Sequence, residues 1–319
     1  MLTRWLPAPY RSSIFSGVKV VIAGGAGFVG RHLSASLTSA GHEVTALSRG
    51  SAASEPRAAL RIVQWDPRSE AGEWLALIGQ ADAVVNLAGS SIGSGRWTRN
   101  RMEEILRSRL EATGALVRAI GQAPPEQRPA VLVSASGIDY YGDRGEEMVT
   151  EDSGPGDSFL AVVCKQWEAA ARGAEPLGVR VVLVRTALVF AREAPAFRLM
   201  LLPFRGFAGG PLGSGSQWFT WIHIDDLVSL YGLALENQSV SGPLNAVAPD
   251  LRRQREVAAE IGRVMHRPSV MPAPASLLRL ALGRQSDLLL HGRRASSRAA
   301  ALGYGFRLGD LPAALKSSL

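Results

Sequence analysis

Residues 18–30 read VKVVIAGGAGFVG: an apolar run broken only by Lys19, then glycines at 24, 25, 27 and 30, then the start of an apolar-periodic stretch. The run predicts a short buried strand over 18–23, and the periodicity that follows predicts a helix from Phe28 to about Ala40. Between them Gly24, Gly27 and Gly30 stand at G-x-x-G-x-x-G spacing. The first permits a tight turn, the second lets a pyrophosphate approach the backbone, and the third lets helix pack on strand. The helix start adds free N–H groups, those of Phe28 and Val29 among them, and the positive end of a dipole. Glycines also mark ordinary turns. At the end of the first strand of an alternating pattern, however, they point to a dinucleotide.

Working outward, further strands are expected near 43–48 (EVTALS), 60–65 (LRIVQW), 83–87 (AVVNL), 130–134 (AVLVS), 180–185 (RVVLVR) and 244–247, with helical patterns at about 99–120 and 159–172. Nearly continuous apolar strands alternating with helices predict an α/β fold, a doubly wound parallel Rossmann sheet covered on both faces. After about residue 195 the pattern weakens into PFRGFAGGPLGSGSQW, and a helix is expected from Asp225-Asp226. The organisation read from this is a leader over 1–16, a dinucleotide-binding domain over 17–250 and a smaller C-terminal substrate-side lobe over 251–319. Residues 1–16 carry Arg4 and Arg11 and no acid, so a transit peptide, an unstructured leader and a misplaced start codon all remain open.

The chain has 319 residues, 46% hydrophobic and 20% charged, too apolar for disorder. A single cysteine, Cys164, excludes a disulfide framework and suits a reducing, cytoplasmic setting. Of 35 basic residues only Lys19, Lys165 and Lys316 are lysines. The arginines are spread along the chain rather than gathered into a stripe with aromatics, so the pI of about 10.1 does not read as nucleic-acid binding. No apolar run is long enough to span a bilayer, and no membrane partner is expected. His32, His42, His266 and His291 lack metal-ligand spacing, and no metal is expected.

The second strand ends Leu47-Ser48-Arg49-Gly50, where NAD-selective domains place an acid for the ribose hydroxyls. Ser48 and Arg49 would instead bind a 2′-phosphate, so NADP(H) is the expected cofactor. The alternative for Arg49 is a solvated surface position. Asp66 ends the third strand and could lie beside the adenine. Leu87, Ala88 and Gly89 end the fourth and would run under the cofactor. Asn86 reads as a buried amide tying strands together.

The loop GGAGFVG, the strand end NLAG and the later WIHIDDLV resemble the extended short-chain dehydrogenase/reductase superfamily. More closely, GRWTRNRMEEILRSRLEAT (95–113), SASGIDYYG (134–142), FLAVVCKQWEAAA (159–171), GGPLGSGSQWFTWIHIDDL (209–227) and GPLNAVAPD (242–250) are similar to its atypical epimerase-like branch, which ends in a DUF1731-type domain. The resemblance runs from residue 18 onward and implies the fold and a nicotinamide cofactor.

It also implies a tyrosine with a lysine four residues on, the pair that shuttles a proton while hydride moves. The residues four beyond Tyr10, Tyr140, Tyr141, Tyr231 and Tyr304 are Ile14, Arg144, Gly145, Leu235 and Leu308. Aligning the 159–172 helix on Glu168 puts Leu160 and Cys164 in the two places. Lys165 substitutes only if the register differs, and Cys164 is either a thiol at the site or simply buried. Ser136, Tyr140 and Tyr141 lie where the superfamily has its substrate-binding hydroxyl, and they are the candidate catalytic groups. A phenol is a poor base without a cationic neighbour, for which Arg109 is the candidate. By resemblance Glu104 and Arg109 contact the cofactor; the alternative is a solvated helix with pairs such as Glu103–Arg107. Asp225 or Asp226 is expected to cap the following helix, with His223 holding the turn. The glycine loop from 209 is expected to cover the site, with Trp218, Phe219 and Trp221 either lining a pocket or packing. Two functions follow: an epimerase-like NADP(H) oxidoreductase acting on a small molecule, or a non-catalytic NADP(H) sensor.

Overall fold

The computed structural model describes residues 17–49 and 60–319. The leader read over 1–16 lies outside them. Seven strands, β1 (Lys19–Ala23), β2 (Glu43–Ser48), β3 (Leu60–Gln64), β4 (Ala83–Asn86), β5 (Val131–Gly137), β6 (Arg180–Thr186) and β7 (Gly242–Ala246), form one sheet. Every pairing is parallel, and the spatial order is β7-β6-β5-β4-β1-β2-β3. The fold is therefore the doubly wound α/β sheet expected, and the run 18–30 begins with β1, an inner strand between β4 and β2.

Alternation along the strands separates two cores. Val20, Ile22, Val85, Val133 and Val184 face α1 (Phe28–Ser39) and later helices, whereas Val21, Ala23, Val84, Leu132 and Leu183 face α2 (Glu73–Ile78), α3 (Arg99–Gln122) and α4 (Phe159–Arg172). Thr98 and Ser158 cap α3 and α4, each side chain accepting a backbone N–H of the first turn.

Three differences from the sequence reading have simple causes. Helix α2 is six residues long, below what periodicity resolves. Helix α5 (Pro195–Arg205) carries Pro203 in its interior and runs straight into the Gly/Pro-rich stretch that starts there, which masks its periodicity. Helix α6 (Ile224–Glu236) is capped by neither aspartate: His223 is the cap, its Nδ1 accepting the Asp225 N–H at 3.2 Å. Burial holds the His223 imidazole below its usual pKa against the pull of Asp225 and Asp226, keeping that nitrogen free to accept.

Asp226 is fully buried and does different work. Its carboxylate accepts from the Tyr304 hydroxyl at 2.7 Å and the backbone N–H groups of Arg307 and Leu308 at 2.8 and 2.9 Å. That fastens the LGYGF segment to α6. Helix α7 (Gln254–Met265) and the last helix, Leu311–Ser318, bury Val257, Ile261, Leu311 and Leu315 in the same core as Val20 and Ile22. Gly209 and Leu212 bridge Ser269 and Ala273, so the glycine loop is strapped to the C-terminal segment. Trp221 stacks on Phe190 at 5.1 Å and packs in the core. No helix among the described residues is long and apolar enough to cross a membrane.

Candidate functional site

The chain leaves β1 for β2 and β3 on one side and returns to β4 on the other, which opens a crevice between the C-terminal ends of β1 and β4, the place where open α/β sheets bind ligands. The crevice holds a cleft of about 580 Å³. Its floor is the glycine turn. Gly24 has φ +81°, a left-handed conformation that favours glycine, and a Cβ there would come within 3.0 Å of the Leu87 carbonyl carbon. A Cβ on Gly30 would sit 2.7 Å from the Gly25 Cα, so the third glycine is needed for helix to pack on strand. A Cβ on Gly27 would approach only the Gly24 carbonyl oxygen, at 3.1 Å, and otherwise fill the cleft.

Helix α1 starts at Phe28 with no side-chain cap and no acid in its first turn. The first amide to close a helical bond is that of Arg31, to the Gly27 carbonyl at 2.9 Å. The N–H groups of Phe28, Val29 and Gly30 are the turn's outward donors, while the Phe28 and Val29 side chains pack against the core.

Along the cleft wall lie Leu87, Ala88, Gly89 and Ser90. The Asn86 amide donates to Ser134 Oγ on β5 at 3.3 Å, the tie between strands expected of it, and it also donates to Thr113 Oγ1 on α3 at 2.8 Å and accepts the Ala88 N–H at 3.2 Å. The turn at 89–90 is clamped by α3 at three points. Ser108 Oγ accepts the Ser90 N–H at 2.9 Å, Glu104 Oε1 accepts the Ser90 hydroxyl at 2.9 Å, and Arg109 donates to the Ser90 carbonyl at 3.0 Å.

Glu104 therefore faces the cleft, and Arg109 lies beneath it, 3.2 Å from where a Gly89 Cβ would stand. Hydrogen bonds from Arg101 and Ser90 hold the Glu104 carboxyl below its usual pKa. The intrahelical pairs are Arg101–Glu104 at 2.6 Å and Arg107–Glu111 at 3.8 Å rather than Glu103–Arg107.

The far end of the cleft is ringed by Ser48, Arg49, Asp66, Pro67, Arg68, Arg107 and Glu111. Asp66 Oδ1 accepts the Arg68 N–H at 3.0 Å, and Arg68 reaches across to Glu111 at 3.1 Å. Arg68, Ser108 and Glu111 were not assigned to the site from the sequence, and Arg107 was named only as a solvated helix residue. For Ser108 and Glu111 the signal was the α3 spacing 104, 107, 108, 111, one face of a helix, and for Arg68 its place just past the end of β3.

Ser136, Tyr140 and Tyr141 do not line this cleft. Ser136 Oγ donates to Glu168 Oε1 at 2.7 Å, and Arg185 grips both oxygens of that carboxylate at 2.8 and 2.9 Å. Arg185 also donates to the Tyr141 hydroxyl at 2.8 Å, which in turn donates to Asn245 Oδ1 at 2.8 Å. Tyr141 has no exposed surface, and burial raises its pKa against the pull of Arg185. Burial alone would lower the Arg185 pKa, but Glu168 outweighs it and holds the guanidinium above its usual value.

The cation over Tyr140 is Arg185, 3.5 Å from the ring centre, and not Arg109, which lies over Trp167 at 4.8 Å. Leu160 is buried. Burial, with help from the Asp139 charge, pushes the Cys164 thiol up to about 12, so it stays protonated at neutral pH. Lys165, one residue on, is exposed. One further carboxylate belongs here: Asp139, 2.7 Å from Arg293 and near Gly137 and Cys164.

The geometry fits a dinucleotide: a glycine cradle that a Cβ would fill, three outward amides, and arginines at the distal rim. Residues 20–246 match the family described as NAD dependent epimerase/dehydratase, and residues 273–318 match a domain of unknown function, DUF1731. An Arabidopsis thaliana relative, a chloroplastic epimerase family protein SDR39U1 homolog, is 38% identical over 303 residues, 95% of this chain and 87% of that one. Epimerase family protein YfhF of Bacillus subtilis is 37% identical over 93% of this chain and 97% of its own length. The crystal structure of human epimerase family protein SDR39U1 with NADPH superposes with a TM-score of 0.83 at 37% identity, covering 94% of this chain and 98% of that one.

Proposed function

The chain belongs to the NAD dependent epimerase/dehydratase family, and from that premise we propose that it is an NADP(H)-dependent, epimerase-like oxidoreductase of a small molecule that works without a Tyr-x-x-x-Lys pair. The observation that carries the reading is the crevice between β1 and β4, with its glycine cradle at one end and Arg49 and Arg68 at the other. The similar human protein was crystallised with NADPH, which supports the same cofactor here.

When bound, the nicotinamide supplies or accepts hydride. The amides at the start of α1 hold the pyrophosphate, Ser48 and Arg49 take the 2′-phosphate, and Leu87–Ser90 support the ribose and phosphates. Glu104, Ser108 and Arg109 position the 89–90 turn. Ser136 and Tyr141 act through the Glu168–Arg185 network as positioning groups. Tyr140, half-buried at the edge of that network, and Asp139 are the groups we assign to the substrate's proton. A reducing, cytoplasmic setting is part of the proposal, since the single thiol is buried and unpaired.

The test is hydride transfer from 4-deuterated NADPH to a panel of carbonyl compounds and sugar nucleotides. Deuterium in at least one product is the expected result. A second reading, a non-catalytic NADP(H) sensor, is favoured by Leu160 and Cys164 in the proton-pair positions. It is supported instead if no deuterium is transferred while NADPH and NADP⁺ give different protease-sensitivity patterns.

A further inference from the structure

On the side of α3 turned away from the dinucleotide cleft is a second cavity, of about 430 Å³, lined by Trp97, Arg99, Met102, Glu103, Leu106, Phe159 and Arg284. The two sites use opposite faces of one helix: 104, 107, 108 and 111 toward the cleft, 99, 102, 103 and 106 toward the cavity. Its walls are built. Trp97 Nε1 donates to the Ile92 carbonyl at 2.9 Å, and the indole meets Phe159 edge to face with ring centres 5.3 Å apart. The C-terminal segment closes one side, Gln285 donating to the Ile92 carbonyl at 3.2 Å and Arg96 to the Leu280 carbonyl at 3.4 Å.

Two features give the cavity a chemistry. Its body is apolar and aromatic, and apolar surface continues past its edge, with Leu280 77% exposed beside Arg96. Arg99 and Arg284 are both exposed at its rim, and among the described residues neither is in a salt bridge; Glu103 is the one acid beside them. An anionic headgroup would gain charge-assisted contacts from both guanidiniums that a neutral apolar ligand cannot make, and a cationic one would be repelled. An exposed apolar recess under a net positive rim suits one kind of occupant.

We propose that this cavity binds an anionic amphiphile, a long-chain carboxylate whose tail lies against Trp97, Met102, Leu106 and Phe159 and whose headgroup is held by Arg99 and Arg284. The site spans the dinucleotide-binding region and the C-terminal segment, and it does not depend on the cofactor reading.

The test is titration of the full chain with dodecanoate, dodecanol and dodecylamine, each below its micelle concentration, followed by calorimetry and tryptophan fluorescence. Dodecanoate is expected to saturate at one molecule per chain, about tenfold tighter than dodecylamine. An Arg99→Ala/Arg284→Ala double variant is expected to lose about tenfold for dodecanoate, the size of one charge-assisted contact, with dodecanol unchanged. Both arginines are surface residues, and an unchanged circular-dichroism spectrum and thermal midpoint of the variant verify that it is folded. Absence of saturable binding, equal binding of dodecanoate and dodecylamine, or an unaffected double variant overturns the proposal. So does sedimentation showing a dimer that Met102→Glu converts to monomer, because a second copy would then cover the cavity.

Discussion

Replacing Arg49 with glutamate should weaken NADPH binding by roughly 60- to 700-fold while changing NADH binding by no more than about threefold. The magnitude follows from chemistry at the cleft's distal rim. A guanidinium held on a phosphate by charge-assisted hydrogen bonds contributes about 1.5–3 kcal/mol. Reversing the charge adds a repulsion that solvent limits to about 1 kcal/mol at an exposed position. NADH lacks the 2′-phosphate and has nothing there to lose. The loss should shrink in high salt, because Arg49 is exposed and its pairing is screened. Fluorescence titration of both cofactors at two ionic strengths measures it. An equal loss for NADH would mean that Arg49 supports the cleft's shape instead of reading the phosphate. Arg68, 3.1 Å from Glu111 across the same rim, is a second cation in reach and sets a limit on how complete the loss can be.

The second large effect is on stability. Arg185→Leu should cost about 3–5 kcal/mol, because it leaves the Glu168 carboxylate buried with no countercharge. The two side chains are 3% and 5% exposed, and Arg185 also supports the Tyr141 hydroxyl and the Tyr140 ring. Urea unfolding followed by circular dichroism measures the loss. The double variant Arg185→Leu/Glu168→Leu should be less destabilised than the sum of the two single variants, since it removes the charge that the single variant strands. Additive losses would show that the pair is not coupled. A loss below about 1 kcal/mol would show that water reaches the carboxylate.

This buried chain also shows where sequence reading stops. Six of the seven strands were legible because each carries a local apolar run, β7 (GPLNA) being the weakest signal, and α4 was placed to the residue by its helical pattern; the structure adds that Ser158 caps its start. The lining of the cleft was legible for a related reason: Gly24, Gly27 and Gly30 lie within seven residues, and Ser48-Arg49, Leu87-Ala88-Gly89 and Asp66 stand at or just past strand ends.

The reaction end was not. Ser136 looks like a substrate hydroxyl until its partner is known, and that partner is Glu168, 32 residues on. Tyr141 is settled by Asn245, 104 residues away, and Asp139 by Arg293, 154 away. Hydrogen-bond capacity used up by a distant residue has no periodicity. Nor does burial at one position on a helix, which decides that Cys164 is a protonated core thiol and Lys165 a surface lysine.

The most direct measurement is equilibrium titration of the unmodified chain with NADPH and with NADH at one ionic strength. A crevice between β1 and β4 that holds phosphate on Gly24, Gly27 and the α1 amides and reads the 2′-phosphate with Arg49, as proposed, predicts one NADPH per chain bound at least about 30-fold more tightly than NADH. Equal affinities, or tighter binding of NADH, would contradict it.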